Sequence, residues 1–289
     1  MTDALLRIAG AGDAVAIDTF LACYPATSMF LRGNLAQHGT DDRVAPHGTT
    51  FYLTEKHRQI TAVYGITNQG YLMAQAPGAC PASWVAFAER INGQTILGMT
   101  GVPAQVEQCL AALGVRAGPW QMFADEPLYH LNIADLKSTL ITVRAPVAAD
   151  LWVLERWFAN YAVDVGQAEA GAPPSDATRA RAARAVDNPD VALFEQDGVP
   201  VAMAGINARL PDIVQIGGVY TPDDMRGRGY AKRALAGLLQ HNRSRGVAQS
   251  ILFSSNDSAS RTYEALGYQH IGQYRVALLK ASIRTGDKP

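Results

Sequence analysis

Apolar residues in the second half of the chain follow two spacings, one helical and one typical of strands. Between Asp150 and Ala162, apolar side chains recur at positions 151, 154, 158 and 161, which predicts a helix that buries one face. The segment 191–220 predicts three antiparallel strands, because the turn signal Asp197-Gly198 separates apolar runs. The same reasoning predicts helices at 230–245 and 257–266, strands at 139–144 and 250–255, and a final strand or strand pair at 268–279. This order predicts an α/β fold whose sheet has mixed strand direction.

The first half of the chain repeats this pattern. Arg7 and Asp13 stand at the same offset from Arg144 and Asp150, and "LTEKHRQITAVYGI" (53–66) matches "LFEQDGVPVAMAGI" (193–206). Further on, "QTIL" matches "QSIL" and "ALG" matches "ALG" in the same order. Colinear matches of this kind predict two copies of one fold, and a length of 289 residues suits about two domains. We therefore predict domains at 1–137 and 138–289.

Charge and hydropathy narrow the class of protein. The formal net charge of -1 and the pI of about 6.6 argue against a dedicated nucleic-acid binder, which usually has a basic excess. No stretch approaches the roughly 18 apolar residues of a membrane span, so no membrane partner is expected. The six histidines show no ligand spacing, and the sequence predicts no metal site.

The cysteines and the N-terminus bear on the cellular compartment. Cys23, Cys80 and Cys109 are odd in number and have no paired spacing, which favours a reduced, cytoplasmic protein. The opening "MTDALLRIAGAGD" lacks the basic start and long apolar run of a signal peptide.

A glycine-rich turn, "RGRGYA" at 226–231, lies between the last strand of the meander and a long predicted helix. No Ser, Thr, Asp or Asn caps that helix start, so the turn offers bare N–H groups and positive charge. It is either a tight connection whose glycines permit positive φ, or a cradle for an anion at the positive end of the helix dipole. No Gly-Lys-Ser/Thr follows, and the spacing is not that of a dinucleotide fingerprint.

Two motifs together resemble those of the GNAT N-acetyltransferase superfamily. Arg226-x-x-Gly229-x-Ala231 resembles its Gln/Arg-x-x-Gly-x-Gly/Ala signature, and "NDSASRTYEALGY" (256–268) resembles its Asn-x-x-Ala-x-x-x-Tyr-x-x-x-Gly-Phe/Tyr segment. The resemblance covers about 139–280. It implies two tandem GNAT-like domains, each a mixed, mostly antiparallel sheet flanked by helices, with acetyl-CoA as co-substrate and no metal.

The resemblance also implies roles for particular residues. N–H groups from Gly227 to Ala231 would hold the pyrophosphate, and the end of the preceding strand would pair with the pantetheine arm. Tyr263 would be the general acid that protonates the CoA thiolate, unless it is a core tyrosine. Asn256 would bind the cofactor or simply cap its helix. The implied cofactor-binding residues are Val219, Tyr220, Thr221, Arg226, Gly227, Arg228, Gly229, Tyr230, Ala231, Lys232 and Asn256, with Val219 also the expected oxyanion donor.

A general base is harder to identify. The strand "IVQIGGVY" has no Asp or Glu, and the nearest acidic candidates by topology are Glu195, Glu155 and Asp164. Each is more often a surface charge, and a water relay or an already neutral amine would remove the need for a base.

The first repeat departs from the pattern at the phosphate turn. It has "QAPGAC" (75–80), where Cys80 replaces Gly or Ala and Pro77 removes one N–H donor. Gly101 stands at the Asn256 position. We therefore expect a degenerate first domain and an active site in the second.

These features lead to a functional expectation, an acetyl-CoA-dependent N-acyltransferase that acts on a small-molecule or peptide primary amine. Two alternatives stay open: a non-catalytic acyl-CoA sensor or interaction module, and a glycine-turn fold that binds no nucleotide. The acceptor is expected beside the loop-like stretch 164–180, with Trp157 and Tyr161 as possible pocket walls.

Overall fold

A computed structural model describes residues 6–166 and 168–286. The first five residues of the N-terminal stretch considered above, and Gln167 of the predicted acceptor loop, lie outside the described residues. The chain divides into two compact units, Met1–Glu126 together with Gln273–Pro289, and Pro127–Gly272. The predicted boundary between 137 and 138 differs from this division in two ways, because residues 127–137 belong to the second unit and Gln273–Pro289 belongs to the first.

The first unit contains two helices, a three-stranded meander and a helix–strand–helix segment. Its elements are β1 (Arg7–Ile8), α1 (Ala14–Ala22), α2 (Met29–His38), β2 (Thr49–Lys56), β3 (Gln59–Thr67), β4 (Tyr71–Gln75), α3 (Pro81–Arg90), β5 (Thr95–Gly101), α4 (Pro103–Ala112) and β6 (Trp120–Asn132), of which the last continues into the second unit.

The second unit repeats this order. Its elements are α5 (Leu151–Asp164), α6 (Asp176–Ala185), β7 (Val191–Gln196), β8 (Val199–Arg209), β9 (Ile213–Tyr220), α7 (Tyr230–Ser244), β10 (Gln249–Phe253), α8 (Asp257–Leu266) and β11 (Gln269–Arg284), of which the last continues into the first unit.

Each unit contains a mostly antiparallel sheet with one parallel pair. In the first unit the strands run β1-β2-β3-β4-β5, and the segment 275–284 of β11 lies antiparallel beside β5. In the second the order is β7-β8-β9-β10, and the segment 128–132 of β6 lies antiparallel beside β10. The parallel pairs are β4–β5 and β9–β10. The predicted fold class is thus confirmed.

Helices cover both faces of the second unit's sheet. Buried residues of α5 and α6 pack with Leu193, Met203 and Tyr220 on one face. Buried residues of α7 and α8 pack with residues of β8, β9 and β10 on the other. The site described below lies where β9 and the start of α7 meet.

Most predicted elements of the second half occur where expected. The two residues of the β7–β8 hairpin, Asp197 and Gly198, have φ of 53° and 77°, as a two-residue hairpin with both central residues left-handed requires. Helix α8 ends at Gly267, whose φ of 103° suits a left-handed cap. The last strand is a single long one.

The predicted strand at 139–144 is wrong. Only one isolated bridge forms there, between Arg144 and Leu193. Upstream, the side chain of Gln240 on α7 accepts a bond from the Ile141 N–H at 3.0 Å and donates to the Thr139 carbonyl at 2.7 Å. These side-chain bonds satisfy backbone groups that a strand partner would otherwise satisfy.

An arginine-centred cluster ties the start of α5 to β7. Arg144 donates to both carboxylate oxygens of Asp150, at 2.6 and 3.0 Å, and to Glu195 at 2.8 Å. Asp150 is buried and also accepts from the Val147 N–H at 2.7 Å. The Arg144 guanidinium holds the pKa of Asp150 below its usual value, an effect that burial opposes.

The first unit contains the same cluster. Arg7 donates to both oxygens of Asp13, each at 2.7 Å, and to Glu55 at 2.6 Å. The Gly10 N–H also donates to Asp13, at 2.8 Å. The matching residues of the two halves therefore form the same ion-pair cluster in each unit.

We predict that Arg144→Met lowers the free energy of unfolding by about 2 kcal/mol, because it removes charged hydrogen bonds from a buried carboxylate. Arg179→Met is the matched control. Arg179 pairs with exposed Asp176 within one helix, and its loss should cost less than about 0.5 kcal/mol. Urea unfolding followed by circular dichroism measures both variants at neutral pH.

The contribution of Arg144 should also depend on pH in a defined direction. Because Arg144 bonds the ionised carboxylate of Asp150, its stabilising contribution is present at neutral pH. The contribution is lost as the pH falls through the lowered pKa of Asp150. Equal stability of the two variants at neutral pH would contradict this account of the cluster.

Candidate functional site

Strand β9 separates from its parallel neighbour before it ends. Its pairing with β10 stops at Ile216, opposite Leu252, although β9 continues to Tyr220. Against β8 its register shifts between Gly217 and Tyr220, which marks a β-bulge. A bulge leaves an extra residue outside the ladder, so this strand end has main-chain groups available for a ligand.

The three residues predicted to meet the pantetheine arm lie at this strand end. Val219 is half-buried beside the α7 core, and Tyr220 is buried with its ring 6.0 Å from that of Trp157. Thr221 is 8% exposed, and its Oγ1 has no hydrogen-bond partner among the residues that the structure describes. A buried hydroxyl without a partner fits a site that a polar ligand completes.

A hydrogen bond from helix α5 holds Tyr220 in place. Its hydroxyl accepts a bond from Asn160 Nδ2 on α5 at 3.1 Å. Burial raises the pKa of Tyr220, and the carboxylates of Asp164 and Asp223 add to the effect. The phenol therefore stays neutral at physiological pH.

The glycine turn opens onto solvent at the start of α7. Gly227 and Gly229 have φ of 78° and 75°, and nothing lies within 4 Å of where a Cβ on either would stand. Within the described part of the chain, no acceptor takes a bond from the N–H groups of Gly227 or Gly229. The first N–H groups of α7, from Tyr230 to Lys232, are the unpaired donors of a helix start. Successive free donors at a helix N-terminus form a binding site for phosphate.

Arg226 links this turn to the end of α5. Its Nη2 contacts Asp164 Oδ2 at 2.5 Å and Asp223 Oδ1 at 2.8 Å, and its Nε donates to the Thr221 carbonyl at 3.1 Å. Its positive charge is therefore already engaged by two carboxylates. The side chain fixes the turn relative to the strand end.

A cavity of about 400 Å³ lies beside the turn. Four cationic side chains line it, Lys137, Arg228, Lys232 and Arg233. The sequence indicated Arg228 and Lys232 but missed the other two. Lys137 is distant in sequence, and Arg233 lies one residue beyond the turn motif and carried no signal of its own.

The second motif forms helix α8. Asn256 caps it, because its Oδ1 accepts the Ala259 N–H at 2.9 Å, so the simpler of its two expected roles is observed. Tyr263 is 8% exposed and lies in an aromatic cluster, with its ring 6.3 Å from that of Tyr129 and 6.0 Å from that of Tyr268.

The three carboxylates considered as general bases lie in different settings. Glu195 is bound to Arg144, and Asp164 is bound to Arg226. Glu155 is half-buried on α5. Of these, Asp164 is the one whose charge raises the pKa of Tyr220, at the end of β9.

In the first unit, a side chain of the protein bonds the main chain at the equivalent strand end. The Ala76 N–H, just beyond β4, donates to Gln105 Oε1 of α4 at 2.9 Å, and Gln105 is buried. The turn keeps one left-handed glycine, Gly78, with φ of 74°. Proline begins helix α3, so one of its first N–H donors is missing.

Among the described residues, no group of three or more His, Cys, Asp or Glu side chains is arranged to hold a metal ion. Within the same ranges, no helix is both long and apolar enough to cross a bilayer.

Comparison with known sequences points to one family. Residues 154–268 match the model of the acetyltransferase (GNAT) family. A stretch of 54 residues is 46% identical to an uncharacterised N-acetyltransferase, YycN, of Bacillus subtilis. That stretch covers 18% of this chain and 33% of the relative, so the match spans about a third of the relative's length.

Comparison with solved structures extends the likeness to both units. A GNAT-family acetyltransferase from Colwellia psychrerythraea has a TM-score of 0.53 at 15% identity, covering 95% of this chain and 99% of its own. A GCN5-related N-acetyltransferase from Sphaerobacter thermophilus has a TM-score of 0.55 at 17% identity, covering 99% and 97%. At these identities the likeness shows a shared fold. Together with the match of residues 154–268 to the family model, it confirms the predicted resemblance to the GNAT acetyltransferases.

Proposed function

We propose that this protein is an acetyl-CoA-dependent N-acetyltransferase whose active site lies in the second unit and whose acceptor is a primary amine. The observation that carries the proposal is the junction of β9 and α7. A bulged strand end with available main-chain groups leads into a left-handed glycine turn whose N–H donors are free.

The residues present fit the co-substrate in three respects. The N–H groups of the turn offer donors to a pyrophosphate, and the cationic cavity beside it complements further phosphate charge. The unpartnered hydroxyl of Thr221 and the free end of β9 suit an amide-containing arm. Acetyl-CoA would supply the thioester from which the acetyl group is transferred.

In the reaction we propose, the neutral amine attacks the thioester carbonyl carbon, and the carbon–sulfur bond breaks with its electron pair on sulfur. The Val219 N–H, at the bulge, is the proposed donor to the carbonyl oxygen as negative charge develops there. Tyr263 is the proposed acid that protonates the thiolate. Asp164, which forms an ion pair with Arg226, is the carboxylate proposed to accept the ammonium proton.

A non-catalytic acyl-CoA sensor is the alternative, and the burial of Tyr263 among aromatic rings is the observation that favours it. Both functions require the phosphate turn, but only the enzyme requires a phenol that exchanges a proton. Thiol release with a panel of primary amines distinguishes them.

The first unit is proposed to be a degenerate copy that binds no CoA. Gln105 already bonds the main-chain N–H that lies beyond its strand end. A cofactor arm would have to displace a buried intramolecular hydrogen bond there, which costs free energy.

Substitution of Gly229 by Glu should abolish CoA binding, since a carboxylate would project into the proposed phosphate seat and repel it. Gly78→Glu, in the corresponding turn of the first unit, is the matched control. Both glycines are left-handed and open, so both variants carry a similar backbone cost. Isothermal titration with CoA measures each.

Loss of binding in Gly78→Glu with full binding in Gly229→Glu would show that the two units have been assigned the wrong way round. Binding by both variants would remove the turn from the CoA site.

Substitution of Tyr263 by Phe should lower turnover by about ten- to a thousandfold and leave the Kd for acetyl-CoA nearly unchanged, because it removes only a proton donor. Tyr129→Phe is the control. It deletes a neighbouring hydroxyl that donates to Glu264 at 2.9 Å, which should cost little activity. Rates of thiol release across a pH series, with a verified amine, provide the measurement.

Wild-type turnover by Tyr263→Phe at every pH would leave Tyr263 as a packing residue. An equal loss in Tyr129→Phe would mean that the aromatic cluster, and no single phenol, supports turnover.

A further inference from the structure

Arg181, on helix α6, differs from every comparably buried arginine in the chain. Six arginines are buried or half-buried: Arg7, Arg32, Arg144, Arg181, Arg209 and Arg275. Five of them form ion pairs with Asp or Glu. Arg181 forms none with any described carboxylate, and the charged or titratable groups that influence it are Tyr161 and the like charge of Arg184.

Aromatic rings hold the Arg181 guanidinium in place. Its central carbon lies 4.5 Å from the ring centroid of Phe158 and 5.5 Å from that of Tyr161, both on α5. Burial lowers the pKa of Arg181 below its ordinary value, yet an arginine stays protonated at neutral pH. A partly desolvated charge is costly unless an anion compensates it, and no carboxylate among the described residues pairs with Arg181.

The guanidinium lies against the bulge of β9. Its Nη2 would be 3.1 Å from a Cβ at Gly218, whose φ is 63°. The same nitrogen lies 3.4 Å from Asn207 Oδ1, and the Asn207 amide occupies the space where a Cβ at Gly217 would stand. Two adjacent glycines thus make room for two polar side chains on the strand, immediately before Val219.

We propose that Arg181 binds a carboxylate of the acceptor, so that the substrate is an amine that also carries an acid group, such as an amino acid. This inference rests on the proposed function, because it takes Val219 as the reaction centre. A planar guanidinium donates two parallel bonds to a carboxylate, which fixes its orientation as well as its position. An amine attached close to that carboxylate then lies near the thioester bound at the strand end.

Direct binding tests the inference without requiring turnover. Glycine, β-alanine, L-leucine and L-phenylalanine are each compared with their carboxamides by isothermal titration into full-length protein saturated with CoA. At least one carboxylate should bind about ten- to a hundredfold more tightly than its amide, as expected for a charged hydrogen-bonded pair.

Three variants assign the preference to one side chain. Arg181→Met keeps an unbranched stem against the rings and should abolish the preference. Arg181→Lys keeps the charge without the fork and should retain only part of it. Arg184→Met, an exposed position one turn along the same helix, should match the wild type. CoA affinity serves as the check that each variant is folded.

Turnover of the same pairs with acetyl-CoA distinguishes this inference from the proposed function. An amine beside a carboxamide is less basic than one beside a carboxylate, so a larger fraction of the carboxamide substrate is neutral and reactive. This difference favours turnover of the carboxamide, and it cannot produce a preference for the carboxylate. Acetylation of amines without carboxylate preference would overturn the inference and support the function. Arg181-dependent carboxylate binding without any thiol release would support the inference and overturn the function. Absence of preference in every pair, or its persistence in Arg181→Met, also overturns the inference.

Discussion

The separation of β9 from β10 is the constraint on which the candidate site depends. Pairing holds the two strands parallel up to Ile216 and Leu252, and beyond that point β9 has a bulge and only one neighbour. Parallel strands in the middle of a sheet normally satisfy each other's main-chain groups. Where they part, donors and acceptors face an opening, and the chain then turns through two left-handed glycines into the positive end of α7.

The two units share an architecture but differ in whether the polar groups beyond the strand end are hydrogen-bonded within the protein. Both have a parallel pair followed by a turn and a helix, but Gln105 bonds the N–H beyond the strand end in the first unit. In the second unit the corresponding region contains Thr221, whose hydroxyl has no partner among the described residues. Buried polar groups usually have hydrogen-bond partners within the protein, because an unsatisfied group costs stability. A buried hydroxyl without such a partner is therefore consistent with a ligand that bonds it.

The positively charged side chains around the site have different roles. Most half-buried arginines are neutralised and serve as structural links, most clearly Arg7 and Arg144, which anchor the same cluster in each unit. Arg226 is exposed and is likewise paired, with Asp164 and Asp223, while its expected part in binding the cofactor stays a prediction. Four cations that pair with no described carboxylate line the cavity beside the turn, and of these Lys137 lies far from the others in sequence.

The sequence by itself determined the fold class, the order of elements and the position of the glycine turn, because helical and strand periodicity and left-handed glycines are local properties of the chain. It did not determine that the segment 275–284 completes the first unit's sheet, since strand partners are chosen by long-range packing and the motifs carry no information on them. Nor could it show that residues 139–144 use the side chain of Gln240 where a strand neighbour was expected. The partners of each arginine were likewise decided only by the tertiary structure, because an ion pair depends on which helices and strands meet. For that reason the sequence could not show that Arg181, unlike the other buried or half-buried arginines, pairs with no described carboxylate.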